Sequence, residues 1–110
     1  MDLYNELQSK ITYLEGRIKS LAENGKQYAL AYTNYRVALA KKLTLLKAEG
    51  YAITLAGDIA RGDPEIAKLK YKEIATEAVY KANLEDINAT KLHIKIIENQ
   101  IEREYVHNEQ

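Results

Sequence analysis

Cysteine, tryptophan and phenylalanine are absent from this 110-residue chain, which has one proline, one methionine and five glycines. Without cysteine there is no disulfide, no thiolate metal site and no thiol nucleophile, and a reducing compartment is the natural setting. The aromatic content is tyrosine alone, nine residues. The N-terminal MDLYNELQSK has neither the basic start nor the apolar stretch of a secretory signal, and no apolar run approaches the roughly 20 residues that span a bilayer. The expectation is a cytoplasmic protein with no membrane segment.

What is present is charge and aliphatic side chains, with 29% charged and 46% hydrophobic residues, the composition of an ordered chain. The formal net charge is zero, but its layout is uneven. Residues 1–24 sum to −1, residues 25–72 to +5 and residues 73–110 to −4. No acid occurs between Glu23 and Glu49.

A heptad count from Tyr4 puts Tyr4, Ile11, Ile18, Gly25, Tyr32, Leu39 and Leu46 at position a, with Leu7, Leu14, Leu21, Tyr28, Tyr35 and Lys42 at d. Apart from Gly25 and Lys42 this seam is aliphatic or Tyr, the pattern of a helix lying along another helix. The spacing predicts a helix over about residues 2–48. Asn24-Gly25 is helix-ending chemistry, yet the heptad phase is the same on both sides, which favours a continuous helix over a break. Gly50 is placed to end it. Asp63 and Pro64 are placed to cap and start a second helix over about 64–105.

The connection, residues 49–63, contains LAGDIA, a short helical turn that Thr54 is placed to cap, with Leu55 and Ile59 facing inward. The fold predicted is all-α: one domain, a long antiparallel helical hairpin, coiled-coil-like, with a helical turn in its hinge. The second helix carries two apolar stripes. One is Tyr80, Leu84, Ile87, Ile94, Ile97, Ile101 and Tyr105. The other is Ala67, Tyr71, Ala75, Ala78, Ala82 and Ala89, continued by Leu92 and Ile96. Two stripes imply two neighbours, and a single hairpin has little interior. The second stripe is therefore the expected contact of a homo-oligomer.

No enzyme constellation can be assembled. His93 and His107 are far apart among Lys and Glu, which reads as exposed helix surface. GDIARGD lacks the Gly-Lys-Ser/Thr ending of a phosphate-binding loop, and its Arg-Gly-Asp reads as turn chemistry. No metal, cofactor or small-molecule substrate is expected.

The basic middle is the feature that suggests a ligand. Arg36, Lys41, Lys42 and Lys47 on one arm and Arg61, Lys68, Lys70 and Lys72 on the other form a set suited to several phosphates. Tyr28, Tyr32 and Tyr35 lie among them. They are read as mainly structural seam residues, the alternative being base stacking of the kind single-strand binders use. Lys42 at a d position is costly unless paired, which suggests a role besides stability.

The stretches YRVALAKKLTLLKAEG and ARGDPEIAKLKYKE resemble a group of small all-helical phage proteins with a Lys-Ala-Glu-Gly helix end. They also resemble the T4-type phage recombination mediators, whose Val-Ala-Leu-Lys-Ala-Arg-Leu, Arg-Gly-Asp and Tyr-Lys segments correspond to Val37–Leu43, Arg61-Gly62-Asp63 and Tyr71-Lys72. The similarity covers roughly residues 35 to 75. The family's DNA-contacting Lys and Arg fall on Ala40 and Lys42, so one of the two is missing unless Lys41 substitutes. The resemblance implies a ring-like homo-oligomer that binds single-stranded DNA and meets a recombinase and single-strand-binding protein. The alternative from the residues themselves is a protein-binding module, such as a phage inhibitor of a host defence or replication protein.

Overall fold

The computed structural model describes the backbone of residues 2–109 and the side chains of residues 2–106. It is all-α. Helix α1 is Leu3–Ala48, α2 is Ile53–Gly62 and α3 is Pro64–Glu109, with no strand among the described residues. The order expected for the hairpin, long helix, short helical turn, long helix, is the one the chain adopts.

Helix α1 runs unbroken through Asn24-Gly25. A glycine inside a helix costs about 1 kcal/mol relative to Ala. Here the space is used: a Cβ on Gly25 would stand 3.3 Å from the Tyr80 ring. The helix ends instead at Gly50, which has φ 97°. The Tyr51 amide donates to Leu46 O at 3.2 Å and the Gly50 amide to Lys47 O at 3.0 Å. These are the paired bonds of a Schellman motif, which needs a left-handed residue and so favours glycine.

Helix α3 starts as expected. The Oδ1 of Asp63 accepts from the Glu65 amide at 2.9 Å and from the Ile66 amide at 3.3 Å. Pro64 occupies the first helical position, where no amide is required. Helix α2 departs from the expectation. Its N-cap is Ala52, without a side-chain cap, and Thr54 lies inside the first turn. Leu55 is exposed, and the inward face is Ala56, Ala60 and, in part, Ile59. Small residues there let α2 approach α1 closely, and a Leu would hold it off.

The chain divides into two compact units, residues 1–23 with 81–110 and residues 24–80. In the first, Ile87 and Ile97 of α3 are buried, and Leu7, Ile11, Leu14 and Leu21 of α1 are half-buried. In the second, Leu46, Ala56 and Ala60 form a cluster backed by Leu39, Leu43 and Ile59. Within each unit α1 and α3 run antiparallel, as the contacts below show.

Every d position of α1 is buried or half-buried, but the a positions are not uniform. Tyr4, Ile18 and Tyr32 are exposed, and Ala31 is buried instead. Tyr32 follows Ala31 directly, so it points about 100° away from the contact that Ala31 makes. The seam reading of Tyr32 is thereby corrected, while Tyr35 is buried and Tyr28 half-buried. On α3 the contact stripe is Ile66, Leu69, Glu73, Thr76, Tyr80, Asn83, Ile87, Thr90, Ile94, Ile97 and Ile101, all at least half-buried. Tyr105, placed on the stripe by its spacing, is exposed.

Candidate nucleic-acid interface

Residues 24–80 hold nine basic residues against six acids, a net of +3, and residues 1–23 with 81–110 hold seven against ten, a net of −3. All eight candidate basic residues lie in the positive unit.

Three of them are engaged. Lys42 Nζ stands 3.4 Å from Asp63 Oδ2. Lys70 Nζ stands 2.8 Å from Glu73 Oε2 and 4.7 Å from the centre of the Tyr35 ring, a cation–π distance. Arg61 meets Asp58 at 3.1 Å, one turn back on α2. The last pair is well exposed and contributes little. Glu73 is buried, and its contact with Lys70 is ionic: no hydrogen bond of good geometry reaches Oε2.

Lys42 thus has a structural partner. The Asp63 carboxylate uses one oxygen to cap α3 and the other to face Lys42. Its pKa is held below the usual carboxylate range, first by the Ile66 amide, then by the Glu65 amide and Lys42, against a desolvation cost that pushes the other way. The Lys70 ammonium is shifted up, chiefly by its contact with Glu73.

The remaining candidates, Arg36, Lys41, Lys47, Lys68 and Lys72, are exposed. Lys68 and Lys72 do not share a face with Lys70. A helix turns about 100° per residue, so Lys68 and Lys72 are neighbours on one side of α3, and Lys70 projects about 200° from each of them. Arg36 and Lys41 stand about 140° apart on α1 by the same count. The lysines that sequence position groups together are split between faces.

Seven-residue steps connect the polar contacts of this unit. The Tyr28 hydroxyl donates to Glu77 Oε2 at 2.5 Å, the Tyr35 ring receives Lys70, and Lys42 meets Asp63. Each step forward by seven on α1 is matched by seven back along α3 to its cap residue. The bond to Glu77 is the main cause that pushes the Tyr28 pKa up to about 12. The Tyr28 and Tyr80 rings are 6.1 Å apart and tilted by 33°.

The negative unit has its own polar ties. Asp86 Oδ2 accepts from the Tyr13 hydroxyl at 2.5 Å and from Arg17 Nε at 2.7 Å. These bonds, Tyr13 first, lower the Asp86 pKa, and the same bond raises that of Tyr13. Asn83 is fully buried and donates to Arg17 O at 3.0 Å. Sequence spacing missed this cluster because its residues read as ordinary polar surface. The signal available was that Asn83 and Thr90 stand seven residues apart on the heptad of Ile97.

His93 is exposed and borders a shallow groove of about 310 Å³ with Glu6, Lys10, Ile96, Ile97 and Gln100. The side chain of His107 lies outside the described residues. Among the described residues no group of three or more His, Cys, Asp or Glu could hold a metal ion. No helix is long and apolar enough to cross a membrane. The stripe Ala67, Tyr71, Ala78, Ala82 and Ala89 is exposed, with Ala75 half-buried.

Comparison with known proteins adds no relative: no family model, curated protein or solved structure matches the chain.

Proposed function

We propose that the protein is a non-enzymatic phage accessory protein of the recombination-mediator kind, which works as a homo-oligomer in the host cytoplasm. It binds single-stranded DNA, or the protein that coats it, and so assists loading of a recombinase. One observation carries the reading: the net +3 of residues 24–80, with Lys41, Lys47, Lys68, Lys72 and Arg36 exposed and α1 free of acids from Asn24 to Ala48. The resemblance of residues 35 to 75 to the mediators supports it.

Exposed ammonium groups on helices contact phosphates without reading bases, and binding of this kind tolerates any sequence. Lys42, Lys70 and Arg61 already have acidic partners, so they supply less of the attraction than the other five basic residues. Anisotropy of labelled oligonucleotides tests this. Similar affinities for different single-stranded homopolymers are expected, and a strong preference for one sequence contradicts phosphate-led binding.

A second reading is favoured by a separate observation. Among the described residues eight apolar side chains are buried, against seventeen large ones exposed. A protein-binding module, such as a phage inhibitor of a host defence or replication protein, would use that surface and ignore DNA. Tight binding to a host protein with no affinity for oligonucleotides would select it.

A further inference from the structure

Six of the nine tyrosines lie in residues 24–80, and Tyr71 is the most exposed of them, at 74%. Tyr28 and Tyr80 lie ring to ring, and Tyr35 is buried beneath Lys70. Tyr71 has no ring, ionic or hydrogen-bonding partner among the described residues. On a helix the neighbours of a side chain are three and four positions away. For Tyr71 these are Ala67 and Ala75 along the axis, with Lys68 on one flank and Ile74 on the other. Two methyl groups leave the ring uncovered along the axis, so a flat group has room to lie against it.

The lysines share this flank. Lys68 and Lys72, four apart, stand side by side, exposed and in no ion pair among the described residues. Helix α1 adds a third. Counted from Tyr35 and Glu73, the buried residues that Lys70 joins, Lys41 turns about 120° on α1, and Lys72 and Lys68 turn about 100° and 140° in the same sense on α3. In antiparallel helices the same sense of turn leads to the same side of the pair. The pairing of Lys42 with Asp63 and of Tyr35 with Lys70 sets Lys41 level with Pro64, so Lys41, Lys68 and Lys72 follow one another at steps of about 6 Å along the axis. Glu73 is buried and Glu77 meets Tyr28, so Glu65 is the one acid that α3 adds to this side within residues 24–80.

We propose that Tyr71 stacks a base of single-stranded DNA while Lys41, Lys68 and Lys72 hold the phosphates beside it. The positive charge lies on the same side as the ring, and an aromatic among lysines matches what a single strand offers, a charged backbone and open base faces. The proposal rests on the single-strand reading above and adds the contact that separates a strand from a duplex. In a duplex each base is covered by its stacked neighbours, so the ring gains nothing there, whereas phosphates alone attract both forms. Stacking is indifferent to sequence, because every base has a π-face.

The test compares an oligothymidylate with an abasic strand of the same length, which keeps the phosphates and lacks the bases. Affinities are measured at several salt concentrations for the wild type, Tyr71→Ala and Tyr71→Phe, with sedimentation of each. Removing one stacked base contact by alanine substitution weakens binding about 5- to 150-fold. The wild type should prefer the oligothymidylate by a factor in that range. Tyr71→Ala should bind both strands alike, with an unchanged salt slope and an unchanged sedimenting mass, and Tyr71→Phe should keep the preference. The chain has no tryptophan, so Tyr71→Trp supplies a single indole whose emission should be quenched by the oligothymidylate and not by the abasic strand. Equal wild-type affinity for the two strands overturns the stacking site and leaves phosphate binding standing. A preference that survives in Tyr71→Ala overturns Tyr71 as its place. Loss of the oligomer in Tyr71→Ala overturns the proposal in favour of a contact between copies of the chain. No binding of either strand by the wild type overturns the single-strand reading and this proposal together.

Discussion

Lys42 on α1 and Asp63, the residue just before α3, face each other, Nζ to Oδ2 at 3.4 Å, while Asp63 caps α3 with its other oxygen. The charge on the seam and the start of the second long helix therefore depend on one carboxylate. Asp63→Ala removes both contacts, and loss of the cap alone costs about 1 kcal/mol. Lys42→Leu removes a partly exposed ion pair worth at most about 1 kcal/mol and puts an aliphatic side chain at a d position. The expected outcome is a lower melting temperature for Asp63→Ala and none for Lys42→Leu. Thermal unfolding followed by circular dichroism measures both.

Gly50 is the position where the backbone demands glycine. Its φ is 97°, and a Cβ there would meet nothing within 4 Å, so the penalty for a side chain is conformational alone. Gly50→Ala should cost about 1–2 kcal/mol, readable as a lower midpoint in urea with an unchanged slope. A variant as stable as the parent would contradict the Schellman geometry.

Tyr32 and Tyr35 were indistinguishable as seam residues, and the structure separates them. Tyr35 is 8% exposed beneath Lys70, and Tyr32 is 45% exposed. Truncating Tyr35 to Ala should cost about 3 kcal/mol, as large aromatic deletions in cores do, and Tyr32→Ala should fall within about 0.5 kcal/mol of the parent. Equal losses would show that both rings are packed.

The elements of the fold were legible because their signals are local. Gly50, Asp63 and Pro64 each fix a helix end by backbone chemistry, and the continuity of heptad phase through Gly25 outweighed its low helix propensity. The inward face of α3 was read less well. Glu73, Thr76, Asn83 and Thr90 occupy contact positions, so a search for apolar residues passes over them; Thr76 and Thr90 bond to their own helix backbone, Asn83 to Arg17 O, and Glu73 is held by the Lys70 ammonium. Thr90, for example, donates to Asp86 O at 2.7 Å. The basic set was legible as a list and not as a surface. Proximity in sequence does not reveal that Lys70 turns away from Lys68 and Lys72.

Stability should follow pH through these polar ties. Asp63 and Asp86 have depressed pKa values, so their contribution is present above the unfolded carboxylate pKa and is lost as pH falls below 3.8. Tyr28 is raised from 10.0 to about 12, so its contribution is full below pH 10 and fades as pH rises through that interval. Melting temperature against pH should show a plateau with both limbs falling. Tyr28→Phe should flatten the alkaline limb and leave the acid limb unchanged. An alkaline limb identical in the two proteins would contradict the Tyr28–Glu77 bond.

The most direct test of the functional account is a salt titration of binding to a labelled single-stranded oligonucleotide, for the wild type and for Lys41→Ala/Lys68→Ala/Lys72→Ala. Alanine keeps the helices, and none of the three positions is buried. Counterion release predicts that the wild-type affinity falls linearly in log–log form from about 50 to 200 mM salt, and that the triple variant binds more weakly with a shallower slope. No binding by the wild type at about 50 mM salt, where the electrostatic attraction is greatest, would contradict direct contact with DNA.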